Sequence, residues 1–181
     1  QDTRVPLSFH VASARPGPGQ ISVFGSDGQA AGSAAYRCTQ DYWVRRSIAC
    51  MIFAGVFERF PGLKVAVVEH ELAWAPFFLT HMDRTYKELS QTAPYRFADQ
   101  KLPSDFFRTN IFISFQEDKL GVEAAPPMIG SDTIIWGSDY PHAESTWPNS
   151  RAFLEKVLAN VPEADRRRFV HDNVARLYGF Q

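Results

Sequence analysis

Four residues of this chain have the types that chemistry at a strand end requires. His10 closes the run "VPLSFH". Glu69 closes "LKVAVVE", with His70 next. Asp139 follows "TIIWGS", and His142 comes three residues later in "GSDYPH". The run between them, Ile111–Phe115, ends in "SFQED". Imidazole and carboxylate together form a donor set that borderline divalent metals accept. Such a site ionises bound water near neutral pH, and a nearby carboxylate can orient that water or take its proton. Each residue also has a plainer reading. His10 alone fits a hydrogen-bonded core histidine, Glu69 the partner of an arginine or a helix cap, and Asp139 a turn residue after Gly-Ser. What argues against the plain readings is position, and position depends on the elements that carry these residues.

Apolar runs alternate with helical periodicity along the chain. Val5–Val11, Leu63–Glu69, Ile111–Phe115 and Thr133–Gly137 read as strands, three of them β-branched and buried. "DYWVRRSIACMIFAGVFERFPGL" reads as one amphipathic helix, with Asp41 at its N-cap and "PGL" as its stop. "AWAPFFLTHMDRTYKEL" is helical in pattern. "LPSDFFRTN" is a helical turn capped by Ser104, and "KLGVEAAPPMIG" is a helix broken by Pro126 and Pro127. Ser150 caps the helix of "SRAFLEKVLANV". "PEADRRRFVHDNVARLYGF" closes the chain, with Pro162 at a helix start and Gly179 past its end. Strand and helix alternate four times, which predicts α/β architecture with a parallel sheet and right-handed crossovers. In such sheets ligands bind beyond the carboxyl ends of the strands, where His10, Glu69 and Asp139 would all lie. The Gly/Ala-rich stretch after His10 and the loop "YPHAESTWPNS" would wall that pocket. Tyr140 and Trp147 would line it, and "DRRR" at 165–168 reads as a solvated helix face.

Composition narrows the function. The chain has 181 residues, enough for one domain with a real core. It is 45% hydrophobic and 22% charged, with a net charge of −1. That balance gives no electrostatic basis for binding nucleic acid or an anionic membrane, so a small-molecule partner is expected. No apolar run approaches the ~20 residues of a membrane span. Cys38 and Cys50 lack metal-ligand or redox spacing, which fits two free thiols in the cytoplasm. The chain begins at Gln1 and enters a strand-like run almost at once, so the expectation is a fragment or a chain lacking an N-terminal portion.

Several stretches taken in order resemble one family. "RFPGLKVAVVEHELAWAPFFLTHMDR", "NIFISFQED", "IIWGSDYPHAESTWPNS" and "NVARLYGF" look like the amidohydrolase-related family, also called amidohydrolase 2. That family includes aminocarboxymuconate-semialdehyde decarboxylase and related aromatic-acid decarboxylases. The resemblance runs from about Val5 to the C-terminus. It implies a (β/α)8 TIM barrel of the metal-dependent hydrolase type, of which residues 1–181 hold strands five to eight as a single domain lacking its first half. His10 would be the metal ligand of strand five, and Asp139 the aspartate of strand eight that binds the metal and handles a proton. The register set by Leu63-Lys64-Val65 puts Glu69 where the decarboxylases carry a histidine. Another branch reads Glu-Ser-Gly there, against Glu69-His70-Glu71 here. His70 would replace Glu69 only through a one-residue slip.

The implied function is hydrolysis of a small organic substrate through a metal-activated water. Catalysis would fall to Asp139, Glu69 and His142, and substrate binding to Trp147, Tyr140 and His70. His10 and Asp139 would hold one divalent ion, zinc by first expectation, with manganese or magnesium compatible. Two alternatives stand beside this reading. One is nonoxidative decarboxylation of an aromatic or unsaturated carboxylic acid. The other is a noncatalytic half-barrel. Four strands leave two sheet edges and an open barrel interior, so a homodimer is expected.

Overall fold

The computed structural model describes residues 5–11, 38–89 and 96–180. The Gly/Ala-rich stretch read as a pocket wall lies outside them, as does the polar loop at 90–95.

Four strands form one parallel sheet: β1 (Leu7–His10), β2 (Val65–Val68), β3 (Ile111–Phe115) and β4 (Ile134–Trp136). Their spatial order is their chain order. Leu7 pairs with Val65, Val65 with Ile111, and Ile113 with Ile134. A doubly wound sheet reverses its strand order to place helices on both faces. A parallel sheet that advances one neighbour at a time with crossovers of one hand keeps its helices on one face, as a barrel does.

The side chains follow that division. Val65, Val67, Ile111, Ile113, Phe115 and Ile134 are buried in one core cluster with residues of the helices. The alternate positions Ala66, Phe112 and Ile135 form a second cluster on the opposite face, as the two-residue period of a strand requires. The face that a barrel would enclose is therefore covered in part, by Leu177 and Val174 of the last helix.

The first long helix is α1 (Asp41–Phe53), and a separate turn, α2 (Val56–Arg59), follows. This corrects the expected single helix. Its apolar period runs on through Val56 and Phe57, but Gly55 at φ 69° turns the chain between them. Asp41 is not an N-cap. It lies inside the first turn, with Arg45 Nε 2.7 Å from its carboxylate but off the hydrogen-bond line. Next comes α3 (Trp74–Leu89), then α4 (Asp105–Thr109) before β3. Ser104 occupies the cap position of α4, yet its hydroxyl donates to Asp83 at 2.7 Å and caps nothing. After β3 come α5 (Lys119–Ala124) and α6 (Pro126–Ile129), divided at the prolines as expected.

After β4 the chain forms α7 (Ser150–Val157), in which Ser150 is the first helical residue and Asn149 the cap position. Then come α8 (Glu163–Arg167), a π-helical turn at Arg168–Asp172, and α9 (Asn173–Tyr178), ended by Gly179 in the left-handed region. Asn173 is fully buried, and its amide donates to the carbonyls of Ser131 and Ile134, both at 2.7 Å. Within residues 165–168, Asp165 and Arg168 pair at 3.1 Å.

Candidate functional site

The carboxyl ends of the strands open into a cleft of about 460 Å³ lined by Val11, Gln40, Glu69, Glu71, Gln116, Glu117, Asp139 and Glu144. Its geometry begins at Glu69. β2 ends at Val68, and Glu69 takes φ 62°, a left-handed conformation that non-glycine residues seldom adopt. The bend is held from two sides. The Glu69 N–H donates to Ser114 Oγ of β3 at 3.1 Å, and Gln40 Nε2 reaches the Glu69 carbonyl at 3.4 Å. Asp139, past the end of β4, repeats the conformation at φ 59°.

Bent this way, the Glu69 side chain meets both predicted metal ligands. Its Oε1 lies 2.8 Å from His10 Nε2, and it shares a side-chain hydrogen bond with Asp139. His10 Nδ1 faces the Val11 carbonyl at 2.8 Å. A carbonyl only accepts, so Nδ1 carries a proton, and in the neutral ring Nε2 is the lone pair. The contact to Glu69 then needs a proton between the two atoms, as does the contact between two carboxylates. Burial, and secondarily the bond to Asp139, push the Glu69 carboxyl above the ordinary range, and the charge of His10 only partly opposes this.

His142 stands at the mouth of the site with its side chain largely exposed, Nδ1 3.6 Å from Asp139 Oδ2. Tyr140 and Trp147 are exposed on the β4 loop and pack edge to face at 5.8 Å, and neither lines the cleft. His70 is buried, and neither ring nitrogen has a hydrogen-bond partner of good geometry among the described residues. Burial lowers its pKa to about 4, outweighing the opposing influence of Asp41 and of the nearby His10 backbone. Glu69, and not His70, is therefore the residue of the Glu69-His70-Glu71 run that reaches His10 and Asp139.

Two features were not legible as site residues. Gln40 and Glu144 line the cleft from the two stretches expected to wall it, but neither residue stood out there by type or spacing. Glu71 is a tie between loops. Its carboxylate accepts the N–H groups of Gln116 at 3.0 Å and Glu117 at 3.2 Å. Asp118 returns the tie, accepting from Leu72 at 2.8 Å and Ala73 at 2.6 Å with one oxygen and from Gly121 with the other. The only signal for this was the acidic run after β3.

His10 and Asp139 are the described residues that would contribute to a metal site, flanking Glu69. Their donors are of the right kind, and a shared proton between an imidazole and a carboxylate is what a divalent ion displaces on binding. Among the described residues, no group of three or more His, Cys, Asp or Glu side chains stands together as a metal site.

A parallel sheet of sequential strands, with helices on one face and ionisable residues at the carboxyl rim, defines a segment of a (β/α)8 barrel of the metal-dependent hydrolase type. The amidohydrolase family model matches residues 1–180, and the chain belongs to that family. It is similar to an amidohydrolase from Mycobacterium avium subsp. paratuberculosis K-10, with 26% identity, a TM-score of 0.75, and 98% of this chain covering 43% of that one. It also resembles 5-carboxyvanillate decarboxylase from Sphingomonas paucimobilis, with 22% identity, a TM-score of 0.70, and 99% of this chain covering 51% of that one. A third likeness is to dihydroxybenzoic acid decarboxylase from Polaromonas sp. JS666, with bound manganese and the inhibitor 2-nitroresorcinol. There the identity is 16%, the TM-score 0.65, and the coverage 98% of this chain and 51% of that one. The chain spans about half the length of these structures. No curated protein matches it. No helix among the described residues is long and apolar enough to cross a membrane. Cys38 and Cys50 are both free and exposed.

Proposed function

We propose that this chain supplies the proton-handling half of a metal-dependent amidohydrolase site that adds water to a small, uncharged or cationic organic substrate. The observation that carries this reading is the Glu69 carboxyl, bent into the cleft beside Asp139 with Oε1 2.8 Å from His10 Nε2, its pKa raised chiefly by burial. His10 and Asp139 would hold the divalent ion. When bound, the ion supplies Lewis acidity that brings the ionisation of water toward neutral pH. Asp139 then accepts the proton of the attacking water, and Glu69 hands a proton to the departing atom. His142 exchanges protons between Asp139 and solvent at the cleft mouth. Manganese is supported as the ion by the neighbouring decarboxylase structure that contains it, and nothing comparable supports zinc.

Nonoxidative decarboxylation is the second reading, supported by the names of two of the structural neighbours. The electrostatics of the described lining favour hydrolysis. Glu69, Glu71, Glu117, Asp139 and Glu144 face the cleft, and no Lys or Arg among the described residues joins them. An aromatic carboxylate would have to offset the ionised carboxylates of that lining through the ion held by His10 and Asp139.

The deciding experiment incubates the manganese-loaded protein with neutral lactones and amides and with aromatic carboxylic acids, in water enriched in oxygen-18. Label in the product supports hydrolysis. Release of carbon dioxide without label sinks it in favour of the second reading. In either case Asp139→Asn should retain less manganese than the parent by elemental mass spectrometry, and unchanged retention would remove Asp139 from the metal site.

A further inference from the structure

The loop that carries Asp139 and His142 is longer than its neighbours, yet it is closed at its base. The Ser138 carbonyl accepts both the Ser145 hydroxyl at 2.7 Å and the Thr146 N–H at 3.1 Å. Within it, the His142 N–H donates to the Asp139 carbonyl at 2.9 Å. These bonds close the loop on itself, and an attachment to the neighbouring strand end fixes its tilt over the cleft and limits its opening. One residue of the neighbouring strand end supplies it. Gln116, just past β3, donates through Nε2 to the Glu144 carbonyl at 2.5 Å. The same residue donates its backbone N–H to Glu71 Oε2 at 3.0 Å and accepts from Trp136 Nε1 at 3.4 Å. The loops after β2, β3 and β4 therefore meet at a single side chain and its peptide groups.

We propose that Gln116 is a positioning residue: it ties the Asp139 loop to the rim of β3, and through Glu71 to the loop of β2, so that Asp139 and Glu69 keep their separation. The inference rests on the proposed metal-dependent reading only for its consequence, since the tie itself is a matter of loop geometry. Gln116 is half-buried and belongs to neither core cluster, so losing its amide leaves the packing of the sheet in place. A glutamine suits the role because it donates without adding charge to an acidic cleft.

The test compares the full chain with Gln116→Met, which keeps length and volume and removes the donor. Hydrogen exchange is read at the amides of His142 and Thr146, manganese affinity by titration, and stability by thermal melting. A single hydrogen bond corresponds to roughly 2- to 10-fold. Exchange at these two amides should speed up by about that factor, manganese should dissociate more readily by a similar factor, and the melting temperature should barely move. If exchange in the loop is unchanged, the tie is refuted. If exchange rises and manganese affinity holds, the residue anchors the loop without positioning Asp139, which also overturns the proposal. If the parent itself binds no manganese, His10 and Asp139 do not hold the ion on this chain alone, while faster exchange still upholds the tie.

Discussion

At the scale of single residues, Glu69 and His70 are neighbours with opposite electrostatic fates, and both make pH-dependent predictions. The Glu69 carboxyl is raised in the folded chain, so folding favours its neutral form. Its stabilising contribution is full below the ordinary glutamate pKa of roughly 4.3 and is lost as pH rises through the folded value. Glu69→Gln keeps the neutral shape at every pH. Its melting temperature should therefore match or exceed the parent's at pH 7 to 8, with the gap closing by about pH 4, while turnover falls by roughly 100-fold or more. A gap that widens as pH falls would show that the ionised carboxylate is the favoured form. His70 runs the other way. Its folded pKa is lowered to about 4 from 6.5 by burial, so the unfolded chain takes up the proton first. Stability present above 6.5 is lost as pH falls toward about 4. His70→Leu should flatten that loss in melting curves recorded across the interval. An unchanged slope would mean that His70 is already charged in the folded state.

At the scale of elements, the β2 and β3 loops interlock through carboxylates, and Gly121 is the residue that lets them close. A Cβ on Gly121 would sit 2.2 Å from Asp118 Oδ2, 2.5 Å from Leu72 Cβ and 2.7 Å from the Ala73 nitrogen. Alanine is intrinsically the better helix former by about 1 kcal/mol. Overpacking against a fixed backbone costs about 1–3 kcal/mol, and here Asp118 cannot retreat without leaving Leu72 and Ala73. Gly121→Ala should therefore be net destabilising in chemical denaturation, with faster exchange at the Leu72 and Ala73 amides. A neutral or stabilising result would mean that the clasp gives way easily.

The elements also show what the sequence could reveal. The strands were legible because short apolar runs between turn residues have few other fates, and three polar residues at their ends came with them. Helix ends were less legible. The apolar period of α1 runs in phase past Gly55, so periodicity could not register the left-handed turn there. Asp41, Ser104 and Ser150 each have cap chemistry, but Arg45, Asp83 and Thr146 are the partners that engage them. The ties of Glu71, Gln116 and Asp118 span 45 or more residues for the first and last, and no local pattern encodes contacts of that range. The link between Glu69 and Asp139 was likewise invisible, although each residue alone was conspicuous.

At the scale of the whole molecule, the two ends of the sheet are treated differently. Beyond β4, Asn173 caps the outward carbonyl of Ile134 from α9. Beyond β1, no strand pairs with the outer edge among the described residues. The Leu7 N–H already donates to the Lys64 carbonyl, and backbone groups alternate sides along a strand, so Ser8 and His10 present theirs outward. An exposed row of such groups, with Leu7 side chains nearby in water, is a template for another strand. Self-association through β1 is therefore expected when this chain is purified alone, and sedimentation should show a dimer that weakens on dilution. Ser8→Pro removes one outward donor and no bond of the β1–β2 ladder. It should shift the chain toward monomer while leaving its far-ultraviolet circular dichroism unchanged. A parent that sediments as a monomer at every concentration would refute the edge as an interface. A Ser8→Pro variant that dimerises as well as the parent would move the contact elsewhere on the surface, leaving His10 free of any strand from a second copy.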